Sequence, residues 1–398
     1  METEESSMPV IQTDTTEGAT CVRLMLGERC VSWLSIVPFT LQIGAATVRM
    51  DGIGGVGTDA HHRHRGYSRR VLEAAVTHMR HGDGALSMLY GIPDFYPKFG
   101  YATAGPDYLV ILNDLERDNI LPTGWNVRDF ELSDLPAMQA LYAQCTARAV
   151  GSALRPAEGG VWAHLTGEAD DEQADACRVL IGPDGRLHGY VWRARWCWYV
   201  KHKLESDYGT ALVLGEVMAD GRLAADAVLA ACKQWAQEEA AERKVKQVVL
   251  SLPPEGPLYA AVMHQYAHCL QKYSACGNSM ARVLDVTRLL RALAPELQAR
   301  LNAANSHFVG SLVFQTDIGN AILHIRPDTV SVTGGDEMSA DALRITLPQM
   351  ELARLALGAF PPDDLLARLP DLPSSTTANL LITLFPLRFP HMHLPDRY

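Results

Sequence analysis

Apolar and polar residues alternate in a strand-like manner between residues 20 and 50. Runs rich in β-branched and aromatic residues predict three strands, which read CVRLMLG, CVSWLSIVPFTLQI and AATVRM. The period changes after Gly66, where apolar side chains recur every three or four positions and predict an amphipathic helix, with Gly82 as its C′ residue. The apolar positions of this helix are Val71, Leu72, Ala75, Val76 and Met79. Residues 1–19 are polar and are predicted to be frayed.

The same order of elements recurs in the middle of the chain. After the first helix come two buried strands, ALSMLY and YLVIL, with a short helical turn between them, and then a polar linker near residues 115–122. A second series follows: the strand WNVRDF, a helix with Ser133 as its N-cap, a hairpin that turns at residues 183–185, the strand TALVLGEVMA, a long helix and the strand KQVVLSLP. This recurrence indicates a diverged structural repeat.

The pattern changes again near Leu284 and predicts a small α+β domain. A helix is followed by three short strands and two further helical stretches. A chain of 398 residues accommodates two to four domains at roughly 100–200 residues each, and its 47% hydrophobic content is enough for real cores. We therefore predict three domains, over residues 1–116, 117–284 and 285–398.

Charge and cysteine content exclude several classes of function. The net charge of -11 argues against a general binder of nucleic acid or of membrane surfaces, which needs a basic patch. No apolar run reaches the ~18 residues that a membrane-spanning helix requires. The eight cysteines include no C-x-x-C pair, so we predict reduced core thiols in a cytoplasmic protein.

The most conspicuous motif is a set of three glycines, Gly52, Gly54 and Gly57, with the spacing G-x-G-x-x-G. In a dinucleotide-binding turn the helix begins at the glycines, so that its N-terminus meets the diphosphate. Here apolar periodicity starts only after Gly66, so we reject that interpretation. A P-loop is also rejected, because no lysine precedes Thr58.

A second candidate for an anion site lies a few residues further along, at Arg63-His-Arg-Gly66-Tyr-Ser68. This segment follows a strand and opens the amphipathic helix, so free backbone N–H groups, the positive end of the helix dipole and two arginines come together. Gly66 permits close approach of a bulky group to the backbone. The alternative is a basic surface turn before a helix.

Downstream residues favour the anion site through a resemblance to a known family. The strand GGVGT, the loop RHRGYS with its helix, the strand LSMLY and the segment FYPKFGY resemble, from about Ile53 to Tyr101, the acetyl-CoA core of the GNAT N-acetyltransferases. The whole chain, including its ending LFPLRFPHMHLPDRY, resembles the Eis-type (enhanced intracellular survival) branch. The resemblance implies an α/β (α+β) fold with tandem GNAT-like mixed sheets flanked by helices. It assigns residues 1–116 to a GNAT domain, 117–284 to a GNAT-like domain without a cofactor loop, and 285–398 to a sterol-carrier-protein-like domain.

The resemblance also implies a set of residues that bind acetyl-CoA as co-substrate. The diphosphate would lie against Arg63, Arg65, Gly66, Tyr67 and Ser68, and His64 in the same loop stands where this branch usually has another basic residue. The backbone of Val56, Gly57 and Thr58 would pair with the pantetheine arm and the thioester carbonyl. The central domain has MADGRLAADA in place of a second loop and lacks paired arginines, so a single acetyl-CoA site per chain is predicted.

Two catalytic groups are implied by the same resemblance. Tyr96 would be the general acid that protonates the leaving thiolate, although it could instead be one more ring in an aromatic cluster with Phe95, Phe99 and Tyr101. The α-carboxylate of Tyr398 would be the general base, its pKa raised by partial burial. The alternative for Tyr398 is a frayed terminus.

Two other groups of side chains could suggest a binding site, but we interpret both as structural. The histidines His61, His62 and His64 are poorly spaced for tetrahedral ligation, so no metal site is predicted. An aromatic stretch on a predicted strand pair is interpreted as core or interface; it comprises Tyr190, Trp192, Trp196, Trp198 and Tyr199.

The chain departs from the family at its N-terminus. A complete GNAT domain begins with a strand and two helices that wall the acceptor groove, and the first twenty residues here are too few and too polar to supply two amphipathic helices. Three interpretations remain open: an open groove that accepts bulky amines, a groove closed by another domain or subunit, or loss of catalysis.

The resulting hypothesis is an acetyl-CoA-dependent N-acetyltransferase that acts on a primary amine of a small molecule or peptide. The alternative is a non-catalytic acetyl-CoA-binding or assembly protein with a degenerate acceptor groove. A lipid carrier acting through the C-terminal domain is weakly supported, because nothing marks a large apolar cavity. The resemblance further implies a homo-oligomer.

Overall fold

The computed structural model describes residues 8–16, 18–92, 94–167, 175–274, 278–335 and 341–398. These residues form two compact units. The first unit comprises residues 1–105, 274–388 and Tyr398, and the second comprises residues 106–273 and 389–397. The division into three domains stays a prediction. No helix of the described residues is long and apolar enough to cross a membrane.

Most of the predicted strands and helices are present. The strands are β1 Pro9–Thr16, β2 Ala19–Leu26, β3 Arg29–Ile43, β4 Ala46–Thr58, β5 Leu86–Gly91, β6 Ala102–Gly105, β7 Asp107–Leu112, β8 Asn126–Asp129, β9 Val150–Ala153, β10 Cys177–Ile181, β11 Leu187–Trp192, β12 Ala211–Leu214, β13 Glu216–Ala219, β14 Gln247–Ser251, β15 Ala267–Lys272, β16 Asn278–Val283, β17 Gly310–Thr316, β18 Gly319–Arg326, β19 Thr329–Gly334 and β20 Leu343–Thr346. The helices are α1 Tyr67–His81, α2 Leu135–Thr146, α3 Ala163–Thr166, α4 Glu205–Asp207, α5 Arg222–Arg243, α6 Gly256–Val262, α7 Val286–Ala303, α8 Gln349–Leu357, α9 Pro362–Leu366 and α10 Ser375–Leu384.

The main sheet of the first unit runs in the order β1-β2-β3-β4-β5-β16-β6. Its pairs are antiparallel except for β4 and β5, which are parallel and are connected through α1. The apolar face of α1 packs on one face of this sheet, in a core that includes Leu34, Ile53, Val71, Leu72 and Leu89. The helical period at residues 71–79 therefore correctly predicted both the helix and its buried face.

The prediction of a frayed N-terminus is wrong for residues 9–16. This segment is β1, and it pairs with β2 along its whole length, from Pro9 opposite Leu26 to Thr16 opposite Ala19. Most of its side chains are exposed, so no hydrophobic pattern marked it. Backbone pairing in a hairpin orders this strand without burial of its side chains.

The rest of the first unit consists of a smaller sheet and its helices. Its order is β19-β18-β17-β20, and α7 packs against β18 and β19. From α7, the Glu296 carboxylate accepts the N–H of Ala45 at 2.6 Å in the turn between β3 and β4. Gly82 ends α1 as predicted, but its φ of -82° and ψ of -163° are extended, not the left-handed conformation expected of a C′ glycine.

The second unit contains two further sheets, in the orders β13-β11-β10-β8 and β12-β14-β7-β15. The segment TALVLGEVMA, expected as one strand, is two strands in different sheets that separate at Gly215. A Cβ at Gly215 would lie 2.7 Å from the Cβ of Ala194, so the chain needs glycine there. Ser133 is not an N-cap: Glu131 and Asp134 form a capping box around a short 3-10 turn before α2.

The aromatic stretch divides between core and surface. Tyr190 and Trp192 on β11 are fully buried and Tyr199 nearly so, which fits the expected core position. The strand ends at Trp192, however, and Trp198 is 65% exposed.

A buried ion cluster holds residues 389–397 in the second unit. The guanidinium of Arg155 donates to Asp396 at 2.9 Å and to Glu216 at 3.0 Å, and lies 3.8 Å from the centroid of the Tyr142 ring. Burial alone would lower the pKa of Arg155, but the two carboxylates outweigh it and hold that pKa well above its ordinary value. Tyr190 donates to Glu216 at 2.6 Å. These contacts tie the last strand-free stretch of the chain to the core of this unit.

Two histidines of this stretch make stability depend on pH. Burial lowers the pKa of His391 well below its ordinary value and that of His393 to about 3. Both stay neutral in the folded protein, whereas the unfolded chain binds protons near pH 6.5. Their contribution to stability is complete above pH 6.5 and is lost as pH falls below it, at about 1.4 kcal/mol per pH unit for each histidine.

We therefore expect the thermal midpoint of the wild type to fall more steeply between pH 7.5 and pH 5 than that of His393→Gln. Scanning calorimetry at several pH values measures both slopes. His307→Gln, at an exposed histidine, is the control and keeps the wild-type slope. Equal slopes in all three proteins would refute the assignment of the buried neutral imidazole.

Candidate functional site

The three glycines of the G-x-G-x-x-G motif all lie inside β4. Strand β4 pairs with β5 only from Met50 opposite Leu86 to Ile53 opposite Leu89. Beyond Ile53 it continues to Thr58 beside β3, with a bulge between the pairs Ser35–Gly54 and Trp33–Gly57. In the described part of the chain, no strand pairs with residues 54–58 on the β5 side. The sheet therefore opens between β4 and β5 and leaves backbone groups of β4 for a ligand.

Two of these glycines permit aromatic rings to lie directly on the strand. A Cβ at Gly57 would lie 2.5 Å from Cε2 of Trp33, and one at Gly52 would lie 2.6 Å from Cε1 and Cε2 of Tyr398. These distances are far below van der Waals contact. Both glycines are thus explained by ring packing and not by a diphosphate turn.

The loop after β4 is ordered by a carboxylate. Asp59 accepts the N–H of His61 at 2.9 Å and a hydrogen bond from Arg29 at 2.8 Å. The His61 N–H, followed by Arg29 and His62, lowers the pKa of Asp59 to about 2. His62 stacks near the ring of Tyr67, with centroids 6.4 Å apart. Among the described residues, no group of three His, Cys, Asp or Glu side chains is placed to hold a metal ion.

The N-terminus of α1 is exposed and is a candidate anion cradle. Gly66, its N-cap, has a φ of +79° and no atom within 4 Å of the position a Cβ would take, and the helix begins without a side-chain cap. The side chains of residues 63–65 are exposed around it, and His64 also has a positive φ, of 63°. Unsatisfied N–H groups, the helix dipole and two arginines suit a diphosphate. Tyr67 and Ser68 are the first two residues of the helix, so their N–H groups belong to this cradle.

Tyr96 lies in a short 3-10 turn beyond the end of β5. It is 8% exposed, and its ring lies against Gly91, the last residue of β5, where a Cβ would clash. The ring is T-shaped to Phe95 at 5.1 Å and to Tyr101 at 6.3 Å between centroids. It belongs to the core on the α1 face of the sheet. The aromatic cluster considered from the sequence is therefore real, and it holds Tyr96 at the end of β5.

Tyr398, the last residue, packs on β4 and β5 and is not frayed. Its hydroxyl donates to the carbonyl of Met88 at 2.7 Å, and its ring lies 5.0 Å from that of Phe39 and 6.0 Å from that of Tyr90. A Cβ at Gly54 would lie 3.1 Å from the carboxyl carbon of Tyr398. The terminal carboxylate thus lies beside the first residue of β4 that β5 no longer pairs.

Tyr96 and Tyr398 lie on opposite faces of the sheet. Side chains alternate along a strand, and Ile53 and Leu89 point into the core on the α1 face, which also contains Tyr96. The neighbours of these two residues, Gly52 and Tyr90, face the other side, where Tyr398 lies. A group held between β4 and β5 would have a phenol on one side and a carboxylate on the other.

Sequence reasoning missed two residues of this site. Trp33 is 40% exposed beside Gly57, and the Met88 carbonyl holds the terminal hydroxyl. The antiparallel register of β3 and β4, counted outward from the turn at Gly44, places Trp33 near Gly57. The bulge then shifts this register, which the sequence does not indicate. No sequence signal points to Met88, since it acts through its backbone.

The first quarter of the chain matches a known domain family. Residues 2–104 match the family described as acetyltransferase (GNAT) domain. No curated protein matches the chain.

Solved structures match almost the whole chain. They include a conserved protein of unknown function from Enterococcus faecalis V583, a probable N-acyltransferase. It matches with 14% identity over 96% of this chain and 90% of that chain, with a TM-score of 0.73. A GCN5-related N-acetyltransferase from Kribbella flavida matches with 21% identity over 95% of this chain and 87% of that chain, with a TM-score of 0.68. Eis1 from Mycobacterium abscessus matches with 16% identity over 95% of this chain and 90% of that chain, with a TM-score of 0.62.

These similarities confirm the predicted α/β class of mixed sheets flanked by helices. At such identities they show the fold, while the domain match identifies the enzyme class. The chain is therefore an enzyme that carries a GNAT acetyltransferase domain in its first 104 residues.

Proposed function

We propose that this protein transfers the acetyl group of acetyl-CoA to a primary amine, by direct attack of the amine on the thioester. The observation that carries the proposal is the position of Tyr398, whose carboxyl carbon lies beside Gly54 where β4 and β5 separate. A chain terminus is normally exposed and frayed. An ordered Tyr398 at the point where β4 and β5 separate supports a role for its carboxylate in the reaction.

The residues of the first unit fit the shape and charge of coenzyme A. The open N-terminus of α1, with Arg63 and Arg65 beside it, would hold the diphosphate, with the N–H groups of Gly66, Tyr67 and Ser68 as donors. The unpaired edge of β4 at Val56, Gly57 and Thr58 would hydrogen-bond the pantetheine amides. His64 adds a group to the loop that is cationic only when protonated. Bound acetyl-CoA supplies the activated acyl group.

Two groups of the chain would handle protons. The Tyr398 carboxylate would accept a proton from the attacking ammonium or amine, and the Tyr96 hydroxyl would donate one to the departing sulfur. Their placement on opposite faces of the sheet supports this division, because it separates the group that takes a proton from the amine from the group that gives one to the sulfur. Tyr96 is held in place by aromatic packing, which favours a fixed donor position.

We propose that Trp33 lines the acceptor groove. The half-exposed ring of Trp33 lies on the same sheet face as Tyr398 and would contact an acceptor. This arrangement supports a small-molecule or peptide amine as acceptor.

Assays of thiol release from acetyl-CoA with a panel of polyamines and lysine peptides test the function. We expect release that depends on the amine. A protein that binds acetyl-CoA but releases no thiol with any amine would instead be the non-catalytic binding or assembly protein.

Several wider features belong to the same proposal. We propose one acetyl-CoA site per chain, domains over residues 1–116, 117–284 and 285–398 with a sterol-carrier-like fold in the last, and a cytoplasmic homo-oligomer. We propose no metal, membrane or nucleic-acid partner. The unpaired state of the described cysteines supports the cytoplasmic assignment; Cys276 lies outside the described residues.

The double variant Arg63→Ala/Arg65→Ala tests the diphosphate cradle. Each charge-assisted hydrogen bond is worth about 1.5–3 kcal/mol, so we expect the loss of two of them to lower acetyl-CoA affinity by about a hundredfold or more in titration calorimetry. Arg49→Ala, at an exposed arginine near the other end of β4, is the matched control and keeps wild-type affinity. Unchanged affinity in the double variant would refute the assignment of the loop.

A further inference from the structure

Tyr398 lies lengthwise along β4, with its two ends at two glycines. The hydroxyl end of the ring lies over Gly52, and the carboxyl carbon lies by Gly54. Residues two apart on a strand point to the same face and are about 6.7 Å apart. Tyr398 therefore spans one such step, from the last part of the β4–β5 pairing to the point where the two strands separate.

The two glycines make this position available. Any side chain at Gly52 would overlap the ring of Tyr398, because a Cβ there would lie 2.6 Å from two ring atoms. A Cβ at Gly54 would press on the carboxyl carbon at 3.1 Å and on Cδ2 at 3.3 Å. Neither glycine has the positive φ that would explain it by backbone conformation. Ring packing on a bare strand is the reason that remains.

The phenol hydroxyl fixes where along the strand the residue lies. It donates to the Met88 carbonyl at 2.7 Å, and Met88 is the residue of β5 that stands opposite Gly52. Aromatic packing against Phe39 and Tyr90 restrains the ring plane but allows sliding along the apolar surface. A directional hydrogen bond removes that freedom. The distance from hydroxyl to carboxylate then sets the position of the carboxylate.

We propose that Gly52 and Gly54 form a seat for the C-terminal residue and that the Tyr398 hydroxyl, through Met88, positions the terminal carboxylate at the opening between β4 and β5. This inference rests on the proposed function of that carboxylate as the base. It assigns the G-x-G part of the motif to recognition of the chain's own terminus. The hydroxyl is a positioning group, since it acts through the carboxylate.

Tyr398→Phe tests the role of the hydroxyl, because it keeps the ring and the carboxylate. Loss of a positioning hydrogen bond is expected to lower kcat about fivefold to tenfold, with the Kd of acetyl-CoA unchanged. A less firmly held carboxylate meets more water, which favours its charged form, so the acidic limb of the pH–rate profile should move to lower pH. Tyr266→Phe removes an exposed phenol hydroxyl of the second unit and is the control, with wild-type kcat and profile.

Gly52→Ala tests the seat itself. The added methyl displaces the ring, so we expect a larger fall in kcat than for Tyr398→Phe, again with acetyl-CoA affinity retained as evidence of folding. Gly221→Ala adds a methyl where nothing lies within 4 Å and is the matched control. A Tyr398→Phe enzyme with unchanged kcat, or with lower kcat but an unmoved acidic limb, overturns the proposal. If Tyr398 can be deleted without loss of turnover, the proposed base itself fails, which is a different result.

Discussion

Deletion of Tyr398 should lower kcat severely while acetyl-CoA still binds. A positioned general base accelerates a reaction by about 10²–10⁴-fold. We therefore expect kcat to decrease by a factor in that range. The proposed diphosphate cradle lies at Gly66, the N-cap of α1, and the deletion does not alter it, so the Kd of acetyl-CoA should stay within twofold. Steady-state assays of thiol release measure kcat, and titration calorimetry measures the Kd of acetyl-CoA.

A one-residue extension separates the carboxylate from the ring. Addition of a single glycine after Tyr398 keeps the phenol and its bond to Met88 but moves the charge away from Gly54. We expect this variant to be as inactive as the deletion. Full activity in either variant would contradict the assignment of the base.

Substitution of Tyr96 by phenylalanine should lower kcat by about 10²–10³-fold, within the range for general acid catalysis. The ring packs against Gly91 and Phe95 on apolar surface, and phenylalanine fills the same space. The packing of the ring should therefore be retained, and acetyl-CoA affinity should change little. The rate loss should be smaller for an acyl donor with a more acidic thiol, since such a leaving group needs less protonation.

Tyr101→Phe is the matched control for Tyr96. Its ring neighbours that of Tyr96 at 6.3 Å, and its hydroxyl shares a buried hydrogen bond of 2.7 Å with Ser87. Burial raises the pKa of the Tyr101 phenol, so it holds its proton throughout the working range. This variant should lose about 1 kcal/mol of stability and keep kcat. A kcat equal to wild type in Tyr96→Phe would remove Tyr96 from the mechanism.

Local patterns predicted those elements whose side chains are periodically buried. Helix α1 follows from the spacing of Val71 to Met79, and β7 follows from an unbroken apolar run that is buried throughout. Strand β1 did not follow, because its order comes from backbone pairing with β2. Strand β15 was missed for a related reason, since most of its side chains are exposed. Helix α10 was missed because its apolar residues continue into the tail without a change of period.

The candidate site also contains one part that local sequence predicts and one part that depends on contacts between distant residues. The cradle at residues 63–68 is a local feature, so its glycine and its helix start could be recognised in the sequence. The position of Tyr398 depends on a contact with Met88, 310 residues away in the chain, which no local pattern encodes. The resemblance to a known family supplied the expectation that the terminus matters. The reason for Gly52 became apparent only when the ring of Tyr398 was found on it.

The central claim is that coenzyme A binds with its diphosphate at the start of α1 and its thiol arm along the free edge of β4. A crystal structure of the protein soaked with coenzyme A tests this most directly. We predict electron density for the diphosphate against the N–H groups of residues 66–68, with the pantetheine arm alongside residues 56–58 and the sulfur between Tyr96 and Tyr398. Density for the nucleotide at any other place on the first unit, with this cradle empty, would contradict the account.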